Sequence, residues 1–245
     1  MTEPIIELKK VSFSAQNTEI VHDISLHIEE GKTTALVGPS GGGKSTVLKL
    51  SAGLLVPSQG AVTFRGKDIS LMSRVQNLEF RREAAVVFQD SALWANQSLY
   101  QILELPLKVH YSDMTKAERD ERIREVISMV GYKRDLLIRP AMLSMGEQKL
   151  IAFARALLCR PSLLYLDEWT ESLDDDAAYR LVMLVKRMQS EHKTIIFVSH
   201  DFRIIKGLAD TIIMVVKGVL SLELTKEQIL ADDDMARLIE KGIES

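Results

Sequence analysis

The residues Gly38-Pro39-Ser40-Gly41-Gly42-Gly43-Lys44-Ser45-Thr46 place a lysine and two hydroxyls behind a run of glycines. This is the G-x-x-x-x-G-K-[ST] spacing of a phosphate-binding loop. Glycines let the backbone approach a phosphate chain closely, and the N–H groups at the start of the following helix attract its charge. Lys44 adds a point charge for the outer phosphates, and Ser45 a hydroxyl for Mg²⁺. Such a loop needs a carboxylate for the metal and a group that handles water. The run Leu163-Leu164-Tyr165-Leu166 leads into Asp167 and Glu168. Asp167 suits the metal shell, and Glu168 stands where a carboxylate polarises an attacking water. His200, in Ser199-His200-Asp201, and Gln89, after Ala84–Phe88, each follow a short apolar run. An amide oxygen such as that of Gln89 can ligate Mg²⁺ or hold a water. A second anion-binding pattern is Ser144-Met145-Gly146-Glu147, which opens a stretch carrying Lys149, Ala152, Arg155 and Ala156. A hydroxyl and a glycine backbone at a helix start favour an anion. One phosphate chain has little use for two such sites, but two copies head-to-tail would each complete the other's.

The elements that position these groups follow from hydrophobic pattern. Thr33–Val37 is β-branched and apolar and reads as a buried strand, with a helix from Val47 onward. Ala84–Phe88, Leu163–Leu166 and Ile195–Val198 are apolar without alternation, as parallel strands buried on both faces are. Ligands of open α/β sheets bind at the carboxyl ends of such strands, which is where Gln89, Asp167, Glu168 and His200 fall. Ile5–Leu8, Ile24–Ile28 and Ala61–Phe64, separated by turn residues such as Gln16-Asn17 and Gly31, predict an antiparallel β subdomain near the N-terminus. A helical subdomain is expected over about 93–160. In it Thr115 and Glu118 form a capping-box pattern, Ile123, Val126, Ile127 and Val130 share a face, and Gly131 is a stop. A helical tail is expected over about 225–245, capped by Thr225 and Gln228, with Leu238, Ile239 and Ile243 as a small apolar face.

Composition narrows the class. The chain has 245 residues, 46% of them hydrophobic, and a net charge of -3. That balance argues against nucleic acid as a partner. The only cysteine, Cys159, excludes an internal disulfide and, among apolar neighbours, reads as a buried inert thiol. Met1-Thr2-Glu3-Pro4 does not open as a secretory signal. No uninterrupted apolar stretch approaches the roughly 20 residues that span a bilayer.

Taken in this order, the phosphate loop 38–46, Gln89, the 143–147 signature, the acidic pair 167–168, Ser172-Leu173-Asp174 and His200 resemble the nucleotide-binding subunit of an ATP-binding-cassette (ABC) transporter. The resemblance covers nearly the whole chain. It implies an α/β P-loop NTPase of ABC type over residues 1–245, with a mainly parallel core sheet beside the antiparallel β and helical subdomains. It implies ATP and Mg²⁺ as ligands, Ser45, Gln89 and Asp167 as metal-holding residues, Glu168 as general base and His200 on the terminal phosphate. Ser144, Met145, Gly146 and Glu147 would meet the ATP of a second chain, and Ser172 to Asp174 would link the two sites. Gln89 would also begin the segment that senses a transmembrane permease. The expected location is then cytoplasmic, peripheral on the inner face of the inner membrane. A narrower resemblance, to the ATPase of Mce/Mla-type phospholipid-trafficking systems, rests on Met72-Ser73-Arg74, Val87–Leu93 and Leu105-Pro106-Leu107. It implies lipid cargo and an Mce-domain partner. The alternatives are a soluble scaffold ATPase of the iron–sulfur assembly type and an impaired half of an asymmetric dimer. The chain departs from the family pattern in four places. Ala15 stands where an adenine-stacking aromatic is usual, with Phe13 two residues earlier in the sheet. Met145 replaces glycine, Glu147 replaces glutamine, and Trp169 replaces proline.

Overall fold

The computed structural model describes residues 4–231. In chain order its elements begin with strands β1 (Ile6–Ala15), β2 (Thr18–Ile28) and β3 (Thr33–Val37), helix α1 (Lys44–Ser51), and strands β4 (Gln59–Phe64) and β5 (Lys67–Asp68). Helix α2 (Arg74–Glu83), strand β6 (Ala84–Val87), helices α3 (Leu99–His110), α4 (Lys116–Val130) and α5 (Met145–Leu157), and strand β7 (Leu163–Asp167) follow. The chain continues with helix α6 (Asp175–Ser190), strand β8 (Thr194–Val198), helix α7 (Phe202–Leu208), strands β9 (Thr211–Val216) and β10 (Val219–Thr225), and helix α8 (Lys226–Ala231). Two compact units emerge, one from the chain up to Asn77 together with the chain from His192 on, the other from Leu78 to Glu191.

In the first unit, β2, β1, β4 and β5 form an antiparallel sheet in that order. The β1–β2 hairpin turns on Gln16 and Asn17, both at positive φ (49 and 61), between the paired Ala15 and Thr18. Two such residues give the turn whose twist matches its strands. The second sheet of this unit places β3 parallel to both β8 and β9, with Leu36 opposite Val198 and Val37 opposite Met214. All five residues of β3 and all five of β8 are buried, as strands covered on both faces must be. Because Val198, the last residue of β8, stands opposite Leu36, one short of the end of β3, Gly38 and the Ser199-His200 stretch leave the same edge of the sheet. The strand β10 pairs antiparallel with β9 through a turn at Lys217 and Gly218.

In the second unit, β6 and β7 pair in parallel from Ala84↔Leu163 to Val87↔Leu166. The helices α3, α4 and α5 lie in the stretch expected to be helical. Ser98 and Gln101 cap α3, and Thr115 and Glu118 cap α4, each by a reciprocal box. Gly131 ends α4, and Ile123, Val126 and Val130 are buried. Cys159 is half-buried rather than fully buried, and burial pushes its thiol up to about 11, so it is inert as expected.

Several elements have no counterpart in the sequence reading. The strands β9 and β10 and the helices α2, α6 and α7 were not anticipated. In α6 only Ala177, Leu181 and Val185 are buried, a stripe too narrow to stand out among its charges. The Thr225–Gln228 cap of α8 is present: the Thr225 N–H donates to Gln228 Oε1 (2.8 Å), and the Gln228 N–H to Thr225 Oγ1 (3.4 Å). Leu238, Ile239 and Ile243 lie outside the described residues. Among the described residues no helix is long and apolar enough to cross a membrane.

Candidate active site

In the first unit the phosphate loop is built against its own sheet. A Cβ on Gly38 would lie 2.2 Å from the Val215 carbonyl oxygen, and its φ of +134 already disfavours a side chain. Only glycine lets the loop leave β3 this close to β9. The Gly42 carbonyl accepts the Gly218 N–H at 2.9 Å, so the β9–β10 turn supports the loop from beneath. Lys44 is buried and its Nζ donates to the Gly38 and Pro39 carbonyls at 2.8 and 2.9 Å. The helix α1 begins at Lys44 with Gly43 as its cap and no side-chain cap bond. Ser45 and Thr46 stand in its first turn. His200 is exposed just beyond β8, in the stretch where Ser199 Oγ accepts the Asp201 N–H at 3.1 Å. The parallel pairing of β3 and β8 thus brings His200 to the loop's edge of the sheet, as the strand reading required.

In the second unit Asp167 is the last residue of β7 and is buried. Glu168 follows at a φ of 43, a left-handed backbone that costs a non-glycine residue on the order of 1–3 kcal/mol. Its carbonyl accepts the Glu171 N–H and Lys149 Nζ, each at 3.3 Å. Gln89, exposed two residues past β6, donates its amide nitrogen to Glu171 Oε2 at 3.1 Å. Ser172 also has a positive φ (66), and Asp174 caps α6, accepting the Ala177 N–H at 2.8 Å.

The signature opens α5. Ser144 is its cap: Ser144 Oγ accepts the Glu147 N–H at 3.2 Å, and Glu147 Oε2 accepts the Ser144 N–H at 2.9 Å. Glu147 therefore completes a capping box and is paired with Arg134 at 2.9 Å. The Ser144 N–H first, and Arg134 with it, hold its carboxyl below the usual range. The extra charge at this position is thus countered within the chain. Met145 projects into solvent. Gly146 is needed for a different reason from Gly38: a Cβ would meet the Ser172 carbonyl oxygen at 2.8 Å. Trp169 is fully buried, with its ring 5.8 Å from that of Phe153. Phe13 is part-buried in β1 opposite Val21.

Two residues named in the sequence only as passengers of the signature helix prove to be structural hubs. Lys149 is buried and donates to the Phe88, Gln89 and Glu168 carbonyls. Burial lowers its pKa, while the carboxylates of Glu171, Asp167, Asp90 and Glu168 oppose that shift. Arg155 donates to the Ala92 carbonyl at 2.6 Å and the Ser91 carbonyl at 3.1 Å. No spacing signal would have found them, because most of the carbonyls they meet lie some sixty residues away in sequence.

The sequence profile of the ABC transporter family matches residues 21–171, well over half of the chain. The chain belongs to the ABC transporter ATP-binding family. The cassette is 31% identical over 233 residues to the nickel import ATP-binding protein NikE of Shigella flexneri serotype 5b (strain 8401), covering 93% of this chain and 87% of that one. It is 37% identical over 231 residues to NikE of Brucella suis biovar 1 (strain 1330), covering 93% and 85%. A dimeric post-hydrolysis structure of the cassette MJ0796 bound to ADP and Pi matches with a TM-score of 0.83 at 28% identity, over 90% of this chain and 98% of that one. The structure of cbiO1 from Clostridium perfringens, part of the ABC transporter complex cbiONQ, matches at 0.77 and 27%, over 98% and 96%. The ABC fold and an ATPase activity follow for this cassette, with ATP as its nucleotide and Mg²⁺ as the ion typical of the fold.

Proposed function

We propose that the cassette is the energising subunit of a transporter, working as a dimer in which each ATP lies between the phosphate loop of one copy and the Ser144 tip of the other. One observation carries this: the chain holds two helix starts with phosphate-loop or hydroxyl–glycine patterns, each in a different unit. Lys44 and the loop 38–46 hold the phosphates. Glu168 accepts the proton of the attacking water, and His200 contacts the terminal phosphate. The left-handed turn at Glu168 and the Lys149 bond to its carbonyl fix the backbone that carries that carboxylate. Across the dimer, Ser144, Met145, Gly146 and Glu147 meet the partner's nucleotide, and Ser172, Leu173 and Asp174 link the sites.

The donors fit Mg²⁺. Ser45 hydroxyl, Gln89 amide and Asp167 carboxylate are all hard oxygen ligands. Bound there, the ion would neutralise phosphate charge.

A transmembrane permease is the partner this reading requires. Its docking is supported by exposed Trp94 and Leu105, which line a groove of about 430 Å³ on the segment that follows Gln89. On that reading the cassette sits on the cytoplasmic face of a membrane. The relatives are named for nickel import. Lipid cargo and an Mce-domain partner rest on the Met72–Arg74, Val87–Leu93 and Leu105–Leu107 resemblance alone. Copurification from detergent-solubilised membrane decides between them: an Mce-domain protein supports lipid, and a metal-import permease removes it.

The dimer is tested by Glu168→Gln. That variant is expected to accumulate as an ATP-bound dimer in sedimentation. A monomer in excess ATP would reject the sandwich. A second reading, an impaired half of an asymmetric pair, is favoured by Met145, a large exposed apolar side chain where a phosphate should approach. Met145→Gly raises turnover if the tip is limiting, and an unchanged rate rejects that reading.

A further inference from the structure

Helix α5 meets the stretch 168–172 at three points along one face. Gly146 packs under the Ser172 carbonyl, Lys149 takes the Glu168 carbonyl, and the Phe153 ring meets that of Trp169. Residues 146, 149 and 153 follow the three- and four-residue spacing of one helix face. The stretch 168–172 therefore lies against this face of α5, met at Glu168, Trp169 and Ser172. Lys149 also takes the Phe88 carbonyl at 3.3 Å and the Gln89 carbonyl. Lys149 is 2% exposed, and its ammonium has three N–H groups, matching the three carbonyls that it meets. An apolar side chain there would leave three carbonyls without this donor.

We propose that Lys149 is a positioning residue for ATP hydrolysis: it fastens the backbone that carries Gln89 and the backbone that carries Glu168 to the helix that begins at Ser144. These segments then move as one body. Ser144 serves the partner copy's nucleotide, while Gln89 and Glu168 serve the chain's own, so Lys149 joins the two sites within one subunit. This rests on the dimer reading above. Lys149 touches neither nucleotide nor water, and acts through the carbonyls of the residues that do.

The test compares Lys149→Met with Lys149→Arg in the full chain. Two quantities are read: the kcat and KM for Mg-ATP, and hydrogen exchange of the amides in 88–92 and 168–172. In the methionine variant kcat is expected to fall about 10²-fold through misplacement alone. Its KM should stay within about threefold, because the phosphate loop is untouched. Exchange in both segments should quicken about tenfold. Arginine, which keeps the donors and the charge, should restore kcat and exchange together. A methionine variant with wild-type kcat overturns the proposal. So does arginine failing alongside methionine with kcat and KM lost in parallel, which is a folding defect. If the unmodified chain hydrolyses no ATP, the dimer reading fails by itself and exchange alone decides Lys149: unchanged rates in both segments overturn it, and quickened rates restored by arginine sustain it. Should Lys149→Met not fold, Lys149→Gln, with two N–H donors and no charge, is judged by the same outcomes.

Discussion

Two helices begin at the motifs that mark this cassette, and they begin in opposite ways. The α1 start is capped by Gly43, with no side-chain cap bond and no acidic residue in its first turn. The α5 start is closed by its own chain, with Ser144 and Glu147 bonding each other's backbone and Arg134 on the carboxylate. A helix start carries partial positive charge and favours an anion. At α1 no carboxylate of the first turn competes for that position, so a phosphate can take it. At α5 Glu147 already occupies it. The two tips therefore cannot bind phosphate by the same means. On the dimer reading the first would rely on backbone and Lys44, the second on the Ser144 hydroxyl and on whatever Glu147 and Arg134 leave of the local field.

The largest effect should come from removing what makes the first tip a cradle. Lys44→Ala is expected to lower turnover by about 10³-fold, as loss of a phosphate clamp does. Gly38→Ala should match it, because its Cβ would collide with the Val215 carbonyl. Ser144→Ala should leave the nucleotide affinity of a single chain intact, since a lone chain's ATP sits on the other tip. Isothermal titration of each variant as a monomer separates them. If Ser144→Ala and Lys44→Ala lose affinity equally, the division of labour between the tips is wrong.

A smaller effect tests what lies beneath the second tip. Gly146→Ala places a Cβ 2.8 Å from the Ser172 oxygen. Overpacking of that kind costs about 1–3 kcal/mol, measurable as a lower urea midpoint. The same substitution at Gly41, which has nothing within 4 Å of its Cβ, faces only its φ of +73. Urea melts of the two variants divide crowding from backbone conformation. Equal losses would mean that the Ser172 contact carries no weight.

How much of this was legible beforehand differs between the tips too. The first was readable as a contiguous motif, though its supports at Val215 and Gly218 lie far along the chain and were not. Lys44 bonds Gly38 and Pro39, six and five residues away. The second was readable as a motif but not as a mechanism. Glu147 read as a liability because Arg134, thirteen residues earlier, carries no spacing signal. The partners of Lys149 lie 61, 60 and 19 residues away, on strand ends that only the fold brings together. The apolar run Ile212–Val215 resembles the other core strands, and it was passed over because no chemical residue follows it. Trp169 drew attention as a departure from a pattern, yet its contact with Phe153 needed the turn of α5 to be known.

The smallest effect is also the one that bears most directly on the contrast between the tips. Glu147→Gln keeps a capping-box partner at the third helical position, but removes the charge facing Arg134 and the helix start. At neutral pH the loss should be about 0.5–1 kcal/mol, the worth of an exposed ion pair and a helix-end charge. The sign of its pH dependence follows from Glu147 having its pKa lowered below 4.5 in the fold. A depressed carboxylate contributes stability that is fully present above the unfolded pKa and is lost as pH falls through the folded one. The wild type should therefore exceed Glu147→Gln by a constant margin near pH 7. That margin should close as pH drops below about 4.5, because the protonated carboxyl and the amide become equivalent. Added salt should narrow it at pH 7, since Arg134 is half-exposed. Urea melts at falling pH measure this directly. If the margin survives below the folded pKa, hydrogen bonding and not charge closes the α5 tip, and a partner's phosphate would then meet an electrostatic field close to that of the tip at α1.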